Sequence, residues 1–343
     1  MVRRIKRATM DARFQAITEW LRSTLPASPW RITPASADAS FRRYFRVRAD
    51  GHSYILMDAP PDKEDCRPFV EIGRALAAMG LNVPLIDHSD LEQGFLLLSD
   101  LGEQSYLTAL NEASADRLYQ DAIDSLLQMQ CAGQRCPTRL PSYGRNLLLN
   151  EMALFRNWLL DKQLALALSG GEASELEALF QLLADNALTQ PQVWVHRDYH
   201  SRNLMVCHQT NPGILDFQDA VVGALSYDLV SLLRDCYIEW PESRQQQWIG
   251  YYLEAACRAG LLSARDSVQF QRWFDLMGVQ RHLKAAGIFA RLYHRDGKPG
   301  YLKDIPRTLG YIVKLAGRYP PLEGLAALIV QRVLPALSVQ GYL

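Results

Sequence analysis

The sequence predicts an α+β chain of two lobes, a small β-rich N-terminal lobe followed by a large, mostly helical C-terminal lobe. Three observations carry that expectation. Short runs of aromatic and β-branched residues dominate the chain before about residue 98, apolar residues recur at helical spacing beyond residue 102, and 343 residues at 48% hydrophobic content can bury a substantial core. The spacing assigns 1–10 to a basic tail, 11–98 to the small lobe and 99–343 to the large one.

Phe14, Ile17, Trp20, Leu21 and Leu25 mark an amphipathic opening helix that stops at Pro26 and Pro29. Tyr44–Val47 and Tyr54–Met57, separated by Asp50-Gly51, predict a hairpin with a tight turn. A helix is expected from near Pro68 to Met79, ended by Gly80, and strands at Val83–Asp87 and Phe95–Leu98. After Asp100-Leu101-Gly102, helical periodicity runs through Leu118–Met129, Leu147–Leu160 and Leu176–Leu183. Strand-like runs at 193–195, 204–206 and 213–216 interrupt it, and helices resume at about Tyr227.

Lysine plus arginine and aspartate plus glutamate each total 37, so no overall field draws the chain to nucleic acid or to an anionic membrane. The six cysteines show neither paired CxxC spacing nor the density of a disulfide scaffold, which fits a reducing, cytoplasmic setting. The N-terminus lacks the apolar segment of a signal peptide, and no stretch is expected to approach the roughly 18–20 apolar residues of a spanning helix. Arg3, Arg4, Lys6 and Arg7 read as a solvated basic run.

The chemistry lies in two short segments. His196-Arg197-Asp198-Tyr199-His200-Ser201-Arg202-Asn203 satisfies the kinase catalytic-loop pattern HRDxxxxN, and Leu215-Asp216-Phe217 follows it. Phosphoryl transfer needs a group that orients the attacking hydroxyl and accepts its proton, and cations that neutralise charge on the phosphate oxygens. Asp198 suits the first role. Asn203 and Asp216 suit the second, because Mg²⁺ prefers oxygen ligands and completes its shell with water and the phosphates of ATP. His196 and His200 lack the adjacent glutamate of a zinc-protease pair, so His196 is expected to brace the loop by hydrogen bonds.

His196 to Asn203, with Ile214-Leu215-Asp216-Phe217-Gln218-Asp219-Ala220, resembles the aminoglycoside phosphotransferase and choline kinase class. The resemblance implies a bilobal protein-kinase-like fold with ATP in the cleft below the small lobe. Gln218 stands where protein kinases have the glycine of their mobile Asp-Phe-Gly switch, which argues against a protein kinase. Asp228, in Ser226-Tyr227-Asp228-Leu229, is expected to cap a helix. Within the class, Asp38–Arg46, Met57-Asp58-Ala59-Pro60-Pro61 and His196–His200 are similar to the bacterial N-acetylmuramate/N-acetylglucosamine anomeric kinases. That closer resemblance implies phosphorylation of the C1 hydroxyl of a cell-wall amino sugar during recycling. It also implies a downstream nucleotidyltransferase that consumes the sugar 1-phosphate.

The small lobe departs from the kinase pattern. Asp38–Arg43 has no glycine, and Met57 stands where a strand lysine is expected to meet the phosphates. Ser40 and backbone amides are candidate donors, Arg43, or less favourably Arg42, the candidate replacement charge, and Glu71 the candidate helix glutamate. Phe95–Gly102 reads as the crossing between lobes, with Leu98 and Asp100 as backbone contacts to adenine. For the acceptor, Tyr143, Asn146, Glu151, Arg281 and His282 are the polar candidates. No acidic cluster stands out in those helices, which favours a neutral or anionic sugar over a cationic aminoglycoside. Other small-molecule kinases of the same fold, acting on an aminoglycoside, a choline-like alcohol or homoserine, stay open, as does a nucleotide-binding protein without catalysis.

Overall fold

The computed structural model describes residues 2–26, 29–37 and 41–342, with 2–11, 36 and 37 as backbone only. Ser40 lies outside the described residues. The chain opens with α1 (Val2–Thr24), which begins inside the segment assigned to a tail, and continues through β1 (Trp30–Ala37), β2 (Arg43–Ala49), β3 (His52–Asp58), α2 (Arg67–Ala78), β4 (Ile86–Asp90) and β5 (Phe95–Ser99). The five strands form one antiparallel sheet of order β1-β2-β3-β5-β4. Asp50 and Gly51 both take positive φ, 48° and 77°, as a two-residue turn matched to strand twist requires.

Strand alternation gives the sheet two faces. Val47, Leu56, Phe95 and Leu97 pack against Ile17 and Leu21 of α1, whereas Tyr44, Met57, Leu96 and Leu98 join the main core on the α2 side. Burial on both faces explains the unbroken apolar run of β5. The strand expected at Val83–Asp87 lies three residues later, at Ile86–Asp90.

The helical lobe runs through α3 (Tyr106–Ala109), α4 (Ala115–Gly133), α5 (Arg145–Leu154) continued by a π-helical stretch at Phe155–Gln163, and α6 (Gly170–Leu188). Four short strands follow, β6 (Gln192–Val195), β7 (Leu204–Met205), β8 (Gly213–Ile214) and β9 (Val221–Ala224), and then α7 (Tyr227–Leu233), α8 (Glu242–Arg258), α9 (Ala264–Asp296) and α10 (Ile305–Ala316). β6 pairs with β9 and β7 with β8, so two small hairpin-like ladders flank the segments that carry the HRD and Asp-Phe residues. The long α9 is fixed at its start by a reciprocal Ser263–Asp266 capping box and ended by Gly297 at φ 67°.

One expectation fails at the far end. Pro320–Val339 is a 20-residue helical stretch long and apolar enough, by composition, to cross a bilayer. Its segments include α11 (Glu323–Leu328) and α12 (Leu334–Val339), and Leu322, Leu325, Ile329, Val333 and Leu337 turn into the core, which accounts for much of that apolarity.

Candidate active site

Two cavities adjoin at the cleft, a larger one between the lobes and a smaller one within the large lobe. The larger, of about 670 Å³, is walled by Tyr44, Arg46 and Ile55 of the sheet, by Leu98–Glu103 at the crossing, and by Met205 and Leu215 below. The smaller, of about 240 Å³, contains Asp198 and is walled by Tyr227, Tyr237, Arg281, Lys284 and Phe289. Arg202, Asn203, Asp216 and Tyr301 belong to the walls of both.

Local backbone chemistry holds the loop open. The carboxylate of Asp228 accepts the backbone N–H groups of His196, at 2.6 Å, and Arg197, at 3.0 Å, and Asp235 accepts those of Ser201 and Tyr237 at 3.0 and 2.9 Å. Asp228 therefore anchors the catalytic loop; the helix cap position belongs to Ser226. Burial pushes the Asp228 carboxyl up to about 7, against the pull of those amides and of Arg281. His196 bridges the two chemical segments. Its Nδ1 accepts the N–H of Asp198 at 3.2 Å, which leaves Nε2 to donate to the carbonyl of Leu215 at 2.9 Å. Burial lowers this imidazole to about 4, so it is neutral at physiological pH.

Asn203 and Asp216 are brought together. Asn203 Nδ2 donates to the Asp198 carbonyl at 3.0 Å and lies 3.5 Å from Asp216 Oδ2. Gln218, in the glycine position of protein kinases, donates to Asp216 Oδ1 at 2.8 Å. Arg197 and Asp216 take φ of 77° and 63°, a conformation that costs a non-glycine residue about 1–3 kcal/mol and is a mark of functional turns. An amide and a carboxylate side by side at the junction of two cavities form a hard-oxygen donor set that fits Mg²⁺.

Asp198 is surrounded by cations. Although burial opposes its ionisation, Lys284 foremost, with Arg281 and Arg197, holds its carboxyl at about 2; burial lowers the neighbouring His200 below the usual imidazole range. Glu151 takes up two of those charges, with Arg197 at 2.5 Å and Lys284 at 3.3 Å. Arg281 has no such partner: it is 5% exposed, donates only to Cys236 Sγ, and its Nε has no hydrogen-bond partner among the described residues.

The remaining candidates divide. Leu98 and Asp100 line the larger cavity, and the Asp100 carboxylate is held by Arg46 at 2.6 Å and by the amide of Gly102 at 3.0 Å. Arg43 does not face that cavity. It pairs with the fully buried Asp58, which also meets Arg13 of α1, on the opposite face of the sheet. Arg42, just before β2, is buried and pairs with Glu64 at 3.2 Å; it is not among the lining residues of either cavity, but its charge reaches Asp216. Glu71 lies on the exposed face of α2, while Phe69 from that helix stacks on Phe217 at 4.8 Å. In the acceptor region, Arg281 lines the smaller cavity. Tyr143 and Glu151 sit behind it in a buried network with Tyr227 and Lys284, Asn146 is exposed, and His282 is a core residue. Nε2 of His282 lies 2.9 Å from the Arg234 carbonyl, and its ring stacks on Tyr311 at 4.7 Å.

Lys284, Tyr237 and Tyr301 escaped the sequence reading, as did any role for Arg202. For Lys284 a signal existed, since Arg281, Lys284, Ile288 and Leu292 recur at three- and four-residue spacing and line one face of α9.

A sheet-and-helix cleft that aligns an ionised aspartate with a neighbouring amide and carboxylate defines a kinase-type phosphotransferase. The chain belongs to the phosphotransferase enzyme family, whose model matches residues 31–270. It is 48% identical over 333 residues to a Pseudomonas putida protein named N-acetylmuramate/N-acetylglucosamine kinase, covering 94% of this chain and 97% of the relative. It is 46% identical to a Pseudomonas aeruginosa protein of the same name, over 93% and 96% of the two chains. Among solved structures, a thermostable mutant of aminoglycoside phosphotransferase APH(4)-Ia superimposes with a TM-score of 0.60 at 14% identity, over 87% of this chain and 99% of the other. That likeness is one of fold.

Proposed function

We propose that the chain transfers the γ-phosphoryl group of ATP to the C1 hydroxyl of N-acetylmuramate and N-acetylglucosamine. In this reading the larger cavity receives the nucleotide and the smaller one the sugar. Asp198 orients the anomeric hydroxyl and takes its proton. An anomeric hydroxyl is more acidic than an ordinary alcohol, so a strongly ionised, weakly basic carboxylate suffices. Asn203 and Asp216 would hold Mg²⁺, which supplies positive charge to the phosphate oxygens when bound.

The single observation that carries the acceptor assignment is the charge of the smaller cavity. Asp198 and Asp216 also line it but are committed to the reacting hydroxyl and the metal, and Lys284 is paired with Glu151, so the charge left to face the acceptor is that of Arg281, which gives a cationic aminoglycoside no partner. An acceptor with a carboxylate, as N-acetylmuramate has, offers the buried Arg281 the anion it lacks. The names of the relatives at 46–48% identity point to the same sugars. A cytoplasmic enzyme in cell-wall recycling, followed by a nucleotidyltransferase that consumes the 1-phosphate, completes the proposal.

The test is a sugar panel with ATP and Mg²⁺, followed by phosphorus NMR of the product. The expected product is a 1-phosphate from both amino sugars, with no turnover of aminoglycosides or choline. A 6-phosphate ester would overturn the anomeric assignment.

A further inference from the structure

We propose that Arg202 is the guanidinium that stabilises the phosphoryl group in transit between the two cavities, an inference that rests on the site assignment above. Four residues wall both cavities, and Arg202 is the one cation among them, beside the neutral Asn203 and Tyr301 and the acidic Asp216. Other charges near the site are confined to one side or spoken for. Arg46 lines only the larger cavity and is paired with Asp100, while Arg281 and Lys284 line only the smaller one.

Arg202 is an exposed residue at the cleft, and its charge is taken up by no ion pair among the described residues. Among the described residues no carboxylate lies within 4.0 Å of the Arg202 guanidinium, and Asp304 acts on it only at longer range. What holds it is aromatic: the guanidinium lies 4.1 Å from the ring centre of Tyr237 and 5.3 Å from that of Tyr301. Contact with the two rings and a hydrogen bond to the Tyr237 hydroxyl restrain the group and leave its other N–H donors unspent on anions. The need for such a charge is also visible. Met57, fully buried in β3, occupies the strand position from which a kinase lysine would serve the phosphates.

During transfer the bond from the γ-phosphorus to the bridging oxygen breaks, and its electron pair leaves with ADP. A bond from the sugar oxygen to phosphorus forms, and the hydroxyl proton passes to Asp198. Negative charge on the three equatorial oxygens therefore sits at the boundary of the two cavities at mid-transfer. A donor held by the two rings at that boundary favours this state over either bound end state, so its contribution falls on turnover more than on nucleotide affinity.

The experiment compares wild type with Arg202→Met, whose side chain keeps apolar contact with both rings, and Arg202→Lys. Turnover with N-acetylglucosamine, calorimetric affinity for ADP and for ADP with aluminium fluoride and sugar, and thermal midpoint are measured. Arg202→Met is expected to lower kcat by about 10²–10³-fold with the ADP affinity within about threefold of wild type. The tighter binding of the fluoride complex over ADP and sugar should vanish with it, and Arg202→Lys should recover at least about tenfold of the lost kcat. A Met variant with kcat within threefold of wild type overturns the inference. So does a loss of ADP affinity equal to the loss of kcat, or a fall in thermal midpoint with no recovery by lysine. A wild type that phosphorylates no sugar overturns the site assignment first, and this inference with it.

Discussion

The carboxyl of Asp198 stays ionised because Lys284, Arg281 and Arg197 outweigh the cost of its burial. A depressed carboxylate keeps its charge as pH falls until it approaches its own pKa, here about 2. Asp198→Asn is therefore expected to lower kcat by about 10²–10⁴-fold at every pH from 8 to 5, and to lower the thermal midpoint as well, because the neutral amide no longer balances Lys284 and Arg281. A rate ratio between wild type and variant that collapses towards pH 5 would remove Asp198 as the base. Arg42 and Arg43 separate by strand geometry. Arg43→Met should cost stability through Asp58, buried and left with Arg13 alone, at little change in the Michaelis constant for ATP. Arg42→Met should raise that constant several-fold, and steady-state kinetics on both variants checks the exchange of roles. Spacing made Asp198, Asn203 and Asp216 legible because the loop that joins them is local. Whether Arg42 or Arg43 lies on the Asp216 side of the sheet depends on parity, and one residue reverses it. Lys284 lies more than eighty positions from Asp198 and was hidden because only tertiary packing brings them together.

At the scale of elements, the site is a product of α7 and α9. Asp228 in α7 and Asp235 just after it hold the backbone of the loop at His196–Arg197 and at Ser201, and α9 supplies Arg281 and Lys284. One close contact limits how α9 can sit against α5. A Cβ on Gly287 would come within 2.3–2.5 Å of backbone atoms of Leu154 and Phe155, where α5 passes into its π-helical continuation. Backbone cannot yield as a side-chain tip can. Gly287→Ala should therefore destabilise the chain by about 1–3 kcal/mol and push Lys284, three residues earlier, out of register with Glu151. Thermal unfolding reads the first effect, and a raised Michaelis constant for the sugar reads the second. An unchanged midpoint would show that α9 has slack at this crossing. Hydrophobic periodicity announced the helices and the hairpin, since each is a local pattern. It misplaced β4 by three residues and missed β9, because Val221–Ala224 becomes a strand only through pairing with β6.

For the molecule as a whole, the large lobe buries charge in partnered groups, as Arg234 with Asp275 at 2.5 Å, but holds a buried imidazole neutral, and pH makes that measurable. His282, fully buried beneath Tyr311 and against the Arg234 carbonyl, is lowered by burial, with Arg281 and Arg234 adding repulsion, from 6.5 to about 3. An imidazole depressed in the folded state binds its proton more readily when the chain unfolds. Its contribution is therefore intact above 6.5 and lost progressively as pH falls towards 3. Between pH 7.5 and pH 5.0 this single group should remove about 2 kcal/mol of stability. Other groups titrate over the same interval, Asp228 in the opposite sense, so the absolute curve mixes several terms. The difference between wild type and His282→Gln isolates one. Glutamine cannot take up a proton, and its amide retains a donor for the Arg234 carbonyl. Wild type should be the more stable at pH 7.5 and lose about 2 kcal/mol of that advantage by pH 5.0, measured by urea unfolding at both values. Parallel curves for the two proteins would mean that the ring reaches solvent, and that the core around α9 and α10 opens more readily than its packing implies.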